Sequence, residues 1–282
     1  MPNIGYLNGR FMPLEHVCIS AEDRGYQFGD GVYEVIRTYQ GRPFNLEEHL
    51  ARMERSAREI SIPLPLDKTE WESVLLRGVA QSGYANCKVY IQVTRGAAPR
   101  EHQFSASLPP TILVTFREMP ELDALHRTRG VHAITHPDIR WGRCDIKSLN
   151  LLPNVLAKQK AVDAGAFEAL FVRDDIVTEG ATSNLMIVKD GVLSSSERNH
   201  QILAGVTLLC VIGLARRHGY DVQERAIRRK ELESADEIFL VGTTIEVLPV
   251  TQLNGHIVGN GLPGPVTNSL SAIFSQYIKD NP

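Results

Sequence analysis

DIRWGRCDIKSLNLL, Asp138 to Leu152, sets a single lysine, Lys147, in an otherwise largely apolar stretch of short turns. A buried ammonium is costly unless it is paired or neutralised. One chemistry uses such a placement: an amine with a lowered pKa that forms a Schiff base with a carbonyl cofactor. The plainer reading is a lysine snorkelling from a loop to solvent, and within this stretch alone it is the better supported, since most lysines are solvated. Cys144 lies close by, but no base is identified that would activate it as a nucleophile. Outward from the stretch, a strand, VHAIT, precedes it and a helix, LPNVLAKQKAVDAG, follows it.

The chain of 282 residues exceeds a typical single domain and predicts two. Its net charge of −3 comes from acids and bases that are interspersed, which argues against a nucleic-acid or membrane-surface role. The longest apolar run, LLCVIGLA (Leu208 to Ala215), is far short of the roughly 20 residues of a membrane helix. MPNIGYLNGRF has no basic region followed by an apolar stretch, so no secretory signal is expected. Cys18, Cys87, Cys144 and Cys210 are scattered, the pattern of reduced thiols in a cytoplasmic protein. His132 and His136 are four apart, but GVHAITHP is β-branched and no carboxylate or cysteine cluster accompanies them, so no metal is expected.

The first part alternates strands and helices. YLNGRFMP reads as a strand and turn, and VYEVIRTYQGRPF as strands around a Gln40–Gly41 turn. NLEEHLARMERSAREI reads as a helix capped by Asn45 with Glu48 at the capping-box position; DKTEWESVLLRGVAQSG reads as a second, ending at Gly83. CKVYIQVTRG and TILVTFREM are central strands by composition. From Glu118 to Gly130 β character is lost and charge rises, which places domains at 1–120 and 132–282 with a linker at 121–131. In the second part, strands from Glu168 to Ser196 turn at Arg173–Asp175 and Lys189–Gly191. AGVTLLCVIGLARRHG is a helix, DEIFLVGTTIEVLPV a strand entering a Gly-Thr-Thr loop, and PVTNSLSAIFSQYIKD a last helix. The fold class is therefore mixed, α/β or α+β.

A phosphate-bearing cofactor needs backbone N–H groups at a helix start, hydroxyls and a cation. Gly205-Val206-Thr207 opens a helix, Thr243 and Thr244 follow a strand, and Arg52 lies on the first helix. Each has a plainer reading: a Gly-Val-Thr start is also simply a cap, and Arg52 is also an exposed i,i+4 partner of Glu48. A pyridine cofactor further needs a carboxylate at its ring nitrogen. Glu179, in VTEGATSN, is the candidate, its alternative being an exposed turn glutamate before Gly180.

EDRGYQFGDGVYEV (Glu22 to Val35), QVTRGAAPREHQF (Gln92 to Phe104), DIRWGRCDIKSLNLL, TEGATSN and GTTIEVLPV occur in this order. Together they resemble the bacterial D-amino-acid aminotransferases of the fold-type IV, pyridoxal-phosphate-dependent class, over nearly the whole chain. The resemblance implies a smaller N-terminal and a larger C-terminal α/β domain with pyridoxal 5'-phosphate (PLP) at their interface, and a homodimer. Lys147 resembles the Schiff-base lysine and proton shuttle, and Glu179 the pyridine-nitrogen carboxylate. Arg52, Val206, Thr207 and Thr243 fall where the family binds phosphate, and Leu203 where an apolar side chain meets the ring. Tyr33, Arg100 and His102 resemble the group that holds the substrate carboxylate, Arg100 and His102 reaching in from the partner subunit. By themselves Arg100 and His102 would be solvated loop residues and Tyr33 a packed strand residue. Arg140 would support Glu179 or Lys147.

The sequence departs from the pattern at Ala181 and Thr182, where serines are common, and at Gly242, where a serine can occur. The implied reaction is ping-pong transamination of D-amino acids such as D-alanine or D-glutamate with 2-oxo acids such as 2-oxoglutarate or pyruvate. Rivals on the same scaffold are a branched-chain L-amino-acid aminotransferase, disfavoured by RGAAPREH, and an aminodeoxychorismate lyase. A cofactor-binding protein without turnover is the non-enzymatic rival.

Overall fold

The computed structural model describes residues 3–281. Two compact units emerge: residues through Pro120 with Ile146–Asn150, and Glu121–Asp145 with Leu151–Asn281. The segment 121–131, expected as a linker, carries a short helix and belongs to the second unit; the Lys147 segment belongs to the first.

The first unit is built on six strands, β1 (Ile4–Leu7), β2 (Arg10–Pro13), β3 (Gly31–Tyr39), β4 (Arg42–Pro43), β5 (Cys87–Thr94) and β6 (Thr111–Glu118), in the order β2-β1-β6-β5-β3-β4, every pair antiparallel. Two hairpins turn at Asn8-Gly9 and Gln40-Gly41, all four residues at positive φ, the geometry of two-residue hairpin turns. In β3, Val32, Glu34, Ile36 and Thr38 are buried while Tyr33, Val35, Arg37 and Tyr39 alternate with them on the other face.

Three helices accompany this sheet: α1 (Arg24–Phe28), α2 (Leu46–Glu59) and α3 (Lys68–Ser82). The buried stripe of α2 is His49, Leu50, Arg52, Met53, Ser56 and Ala57, a helical spacing. With Val32, Ile36, Trp71, Leu75, Ile91 and Phe116 its apolar members form one core. The capping box of α3 is formed by Asp67 and Glu70, and Gly83 ends it at φ 70°. Gly78 lets α3 lie on the sheet, because a Cβ there would sit 2.0 Å from Phe116 Cζ. Asn45 precedes α2 as expected but caps nothing: it is left-handed, φ 49°, and its side chain makes no capping bond.

In the second unit α4 (Ala124–Arg129) leads to β7 (Val131–Pro137), and α5 (Leu152–Asp163) leads to β8 (Glu168–Arg173). Strands β9 (Ile176–Gly180), β10 (Asn184–Lys189) and β11 (Val192–Ser196) form successive turns at the expected places, Asp174-Asp175 and Asp190-Gly191, all at positive φ. Then come α6 (Val206–Arg217), β12 (Val222–Arg225), β13 (Ile227–Arg228), α7 (Arg229–Ser234), β14 (Glu237–Gly242), β15 (Glu246–Leu253), β16 (His256–Ile257) and α8 (Pro265–Asp280). The Gly-Thr-Thr loop proves to be a hairpin turn, since EVLPV, from Glu246, continues as β15 antiparallel to β14. The ten strands run β12-β11-β10-β14-β15-β7-β8-β9-β13, with β16 on β15. Parallel pairs β7–β8 and β11–β12 are crossed by α5 and α6, the connection a parallel pair requires. His132 and His136 lie on β7, and no metal-holding cluster exists among the described residues.

Candidate active site

In the first unit Lys147 is fixed by its backbone. Its carbonyl accepts from Tyr33 N–H at 3.0 Å, its N–H donates to Ser56 Oγ at 3.2 Å, and Leu149 N–H donates to the Gly31 carbonyl at 3.0 Å. The segment thus runs along the start of β3, with Ser148 bridged to Val32. The half-buried Lys147 amine lies 4.2 Å from the Tyr33 ring centroid, and no carboxylate pairs with it among the described residues. Tyr33 in turn faces Tyr90, ring to ring at 5.8 Å. Burial, with Tyr33 alongside, pushes the Tyr90 phenol up to about 12, so it stays protonated and donates to Gln92 Oε1 at 2.7 Å.

Arg52 is not an exposed partner of Glu48. It is buried and holds Glu34 bidentately, Nε to Oε1 at 2.7 Å and Nη2 to Oε2 at 2.8 Å. Glu34 is fully buried, which by itself would raise its pKa, but Arg52 and His49 outweigh that and hold it well below the carboxylate range. Burial lowers the His49 pKa, helped by the Arg52 and Lys147 charges. Because the Glu34 carboxylate can only accept, the ring donates to it from Nδ1, at 2.9 Å. Arg100 and His102 lie in the exposed stretch after β5, at Phe28: the Arg100 Cζ is 4.8 Å over that ring and the His102 ring 5.5 Å from it.

In the second unit Glu179, at the end of β9, is buried and receives donors from Arg140, Asn184 and Leu203. Arg140 Nη1 reaches Oε1 at 2.5 Å, Asn184 Nδ2 reaches Oε2 at 3.0 Å, and the Leu203 N–H is shared between Oε1 and Oε2 at 3.3 and 3.2 Å. It is not an exposed turn glutamate. Arg140 is aimed by Asp138, from Nε at 2.9 Å and Nη2 at 2.9 Å, and lies 4.4 Å over the Phe171 ring. Burial alone would lower the Arg140 pKa, but Asp138 and Glu179 raise it, so it remains a cation. Asp138 is held below the usual range against its burial by Arg140 and Arg173. Burial pushes the Cys144 thiol up to about 11, with Arg140 only partly offsetting it, so Cys144 is no nucleophile here.

Asn184 ties this carboxylate to a helix start. Its Nδ2 also donates to the Leu203 carbonyl at 3.0 Å, and a Cβ on Gly205 would fall 1.9 Å from its Oδ1. Gly205 is the N-cap of α6 and supplies no side chain to Val206 or Thr207, and the first turn carries no acid. The start of α8, by contrast, already holds an anion: Glu237 accepts from Val266 N–H at 2.9 Å and Thr267 N–H at 2.7 Å. Thr243 follows β14, whose Val241 pairs with Asn184, so the hydroxyl sits at the same sheet end. Beside Glu179, the Thr182 hydroxyl is engaged by the buried Glu168 at 2.7 Å, as is Ser183 at 2.9 Å. Ala181 is buried and Gly242 has only ordinary contacts at its Cβ position.

Sequence reasoning missed Asn184, Asp138, Glu34 and Arg24. Asn184 lay inside TEGATSN and Glu34 on the inward face of an alternating strand, which were the available signals. The first unit offers an amine without a carboxylate partner among the described residues, and the second offers a buried carboxylate, uncapped helix amides and hydroxyls; each set is of a kind that a phosphorylated pyridine aldehyde uses.

The family described as Amino-transferase class IV matches residues 31–253. D-alanine aminotransferase of Bacillus licheniformis is 46% identical, covering 96% of this chain and 95% of that protein; that of Staphylococcus epidermidis is 42% identical, covering 98% of each. Among solved structures, the Escherichia coli branched-chain amino acid aminotransferase aligns with TM-score 0.92 at 25% identity, covering 99% of this chain and 95% of that one. A fold IV-transaminase from Curtobacterium pusillum aligns with TM-score 0.85 at 26% identity, covering 98% of each chain. The family match over residues 31–253 and relatives of 40% identity or more over nearly the whole chain, together with the mixed two-sheet fold, show that the chain belongs to the class IV aminotransferases.

Proposed function

We propose that this chain is a PLP-dependent aminotransferase that moves the amino group between D-amino acids and 2-oxo acids. The observation that carries it is Glu179, buried and ion-paired with Arg140, in a class IV chain whose relatives over nearly its whole length are D-alanine aminotransferases. When bound, PLP supplies the aldehyde that carries the amino group and the ring that accepts the electron pair left on the deprotonated carbon. With the cofactor bound, Lys147 Nζ would hold its aldehyde carbon, the aldehyde oxygen leaving as water, and once displaced by the substrate amine it would take up and return the substrate's Cα proton. Glu179 would face the ring nitrogen and favour its protonated form, with Arg140 fixing the Glu179 carboxylate in place. Val206 and Thr207 offer helix-start amides to the phosphate, Thr243 a hydroxyl and Arg52 its guanidinium. Leu203 supplies an apolar side to the ring. Tyr33, with Arg100 and His102 of a second copy, holds the substrate carboxylate.

A homodimer is supported by the exposed face of α5, where Leu152, Val155, Leu156 and Val162 repeat at helical spacing. A cytoplasmic setting is supported by cysteines that form no disulfide among the described residues. The L-selective reading is favoured by the likeness to branched-chain aminotransferase structures, the D-selective one by sequence identity. Mixing the yellow holoprotein separately with D-alanine, L-leucine and aminodeoxychorismate decides among them. Loss of visible absorbance with pyruvate release from D-alanine is expected. Bleaching by L-leucine alone would sink the D-reading, and pyruvate release from aminodeoxychorismate without a keto-acid acceptor would establish the lyase. Lys147→Ala should lose transamination by orders of magnitude.

A further inference from the structure

An exposed loop that must hold an anion needs something rigid beneath it. The loop carrying Arg100 and His102 is exposed, and its support comes from α1. Arg24, the first residue of that helix, is 4% exposed and sends its guanidinium under the loop. Nη1 donates to the Glu101 carbonyl at 2.5 Å and, at 3.4 Å, to that of Gln103; Nη2 donates to the His102 carbonyl at 3.2 Å. Nε is anchored on Asp30 Oδ2 at 2.8 Å. Asp30 is gripped from its other side by Arg95, Nε to Oδ2 at 2.8 Å and Nη2 to Oδ1 at 2.9 Å, and Arg95 also donates to the Ile60 and Ser61 carbonyls. Three consecutive loop carbonyls are therefore tied through one guanidinium to a carboxylate that is itself held from both sides. The loop's side chains rest on the same helix, since Phe28 lies beneath Arg100 and beside His102 while Arg24 Cζ is 4.9 Å over its ring. Arg100 forms no ion pair among the described residues, so its donors are available to an incoming anion.

We propose that Arg24 is the positioning residue for the substrate's α-carboxylate, presetting the loop so that Arg100 and His102 meet it without further ordering, with Phe28 as their platform. The proposal rests on the reading of Arg100 and His102 as carboxylate-binding. Arg24 touches neither substrate nor cofactor in this scheme, so removing it should weaken capture of the substrate and spare the chemistry.

The test uses the PLP-loaded enzyme and the D-alanine half-reaction. Arg24→Ala should raise the half-saturating D-alanine concentration about tenfold, the scale of a lost charge-assisted hydrogen-bond set, with the saturating rate changed by less than about threefold and the cofactor spectrum unchanged. Arg24→Lys should fall between, because one ammonium cannot serve three carbonyls and Asp30 together. In an Arg100→Ala/His102→Ala background, adding Arg24→Ala should change half-saturation by less than about twofold, since nothing remains to position. An Arg24→Ala effect confined to the saturating rate, or one that multiplies in full on that background, overturns the positioning role. Should Arg24→Ala fail to fold, Arg24→Lys carries the same comparisons, and wild-type half-saturation in it is equally fatal. Unaltered half-saturation in Arg100→Ala/His102→Ala alone would instead overturn the underlying carboxylate assignment.

Discussion

Gly205→Ala isolates the joint between the Glu179 carboxylate and the start of α6. The backbone there, φ −66° and ψ 128°, suits alanine, so no strain arises from the main chain. The main conflict is with one side chain: the new Cβ would lie 1.9 Å from Asn184 Oδ1 and 3.1 Å from its Cγ, with Leu208 Cβ at 3.3 Å a lesser contact. Asn184 is buried and its Nδ2 bonds Glu179 Oε2 and the Leu203 carbonyl, both at 3.0 Å. Rotating away strips a donor from the buried Glu179 carboxylate and from the half-buried Leu203 carbonyl. At about 1–3 kcal/mol for an acceptor left unsatisfied, and with Leu203 N–H and Arg140 still serving Glu179, a loss of about 2–4 kcal/mol is expected. Alanine is also the poorer N-cap, so propensity offsets nothing. Urea unfolding would show it as a lower midpoint at unchanged slope, and cofactor affinity should fall as well because the residue opens the proposed phosphate site. Gly213→Ala in the same helix is the control, since its Cβ would meet nothing within 4 Å. A Gly205→Ala loss below about 0.5 kcal/mol, within the range of an ordinary surface substitution, would refute the reasoning.

That control is itself a prediction: Gly213→Ala should stabilise by about 0.5–1 kcal/mol from helix propensity alone, read as a higher urea midpoint. Arg140→Met leaves Asp138 and Glu179 buried without their main counter-charge and should cost about 3–5 kcal/mol, checked by the same unfolding measurement; a loss under about 1 kcal/mol would contradict the network. Acid should unfold the protein in two stages. His49, Glu34, Asp30 and Asp138 all have pKa values lowered by folding. The unfolded chain then binds more protons, so stability is full above the ordinary pKa of each group and falls with pH, first through about 6.5 for His49 and then below about 4 for the carboxylates. Circular dichroism unfolding at a series of pH values checks it, and constant stability from pH 7 to pH 3 would rule it out.

The parts legible in the sequence were those set by local rules. Asn8-Gly9, Gln40-Gly41 and Asp190-Gly191 marked turns because only residues tolerant of positive φ serve there. Gly83 marked the end of α3, where its φ of 70° is the left-handed conformation a glycine takes there. Asn45 showed the limit: a capping residue type in the capping position, turned into a left-handed conformation in which it caps nothing. Helix α1 has five residues, too few for a periodic signal, and gave none. Partner choice among charged groups was the other illegible part. Arg52 had Glu48 four residues away, yet it shares a buried face with His49, Met53 and Ser56 while Glu48 is exposed. Its partner comes from β3, 18 residues earlier, and Arg140 finds Glu179 at a separation of 39. Such pairings are decided by which elements pack, which no local pattern encodes.

One electrostatic rule accounts for the candidate site. Carboxylates in both units are matched to fixed donors: Glu34 to Arg52 and His49, Asp30 to Arg24 and Arg95, Asp138 to Arg140 and Arg173, Glu237 to the start of α8. Each match fixes an otherwise mobile group, as an ion pair out of water must to offset its desolvation. Against that pattern Lys147 is the exception, a half-buried amine resting on an aromatic ring with no carboxylate to hold it among the described residues. Pairing would keep the ammonium protonated and useless as a nucleophile or base. The chain pins its structural charges in matched sets and leaves out of them the amine proposed to react, the condition under which such an amine would form and release a covalent bond.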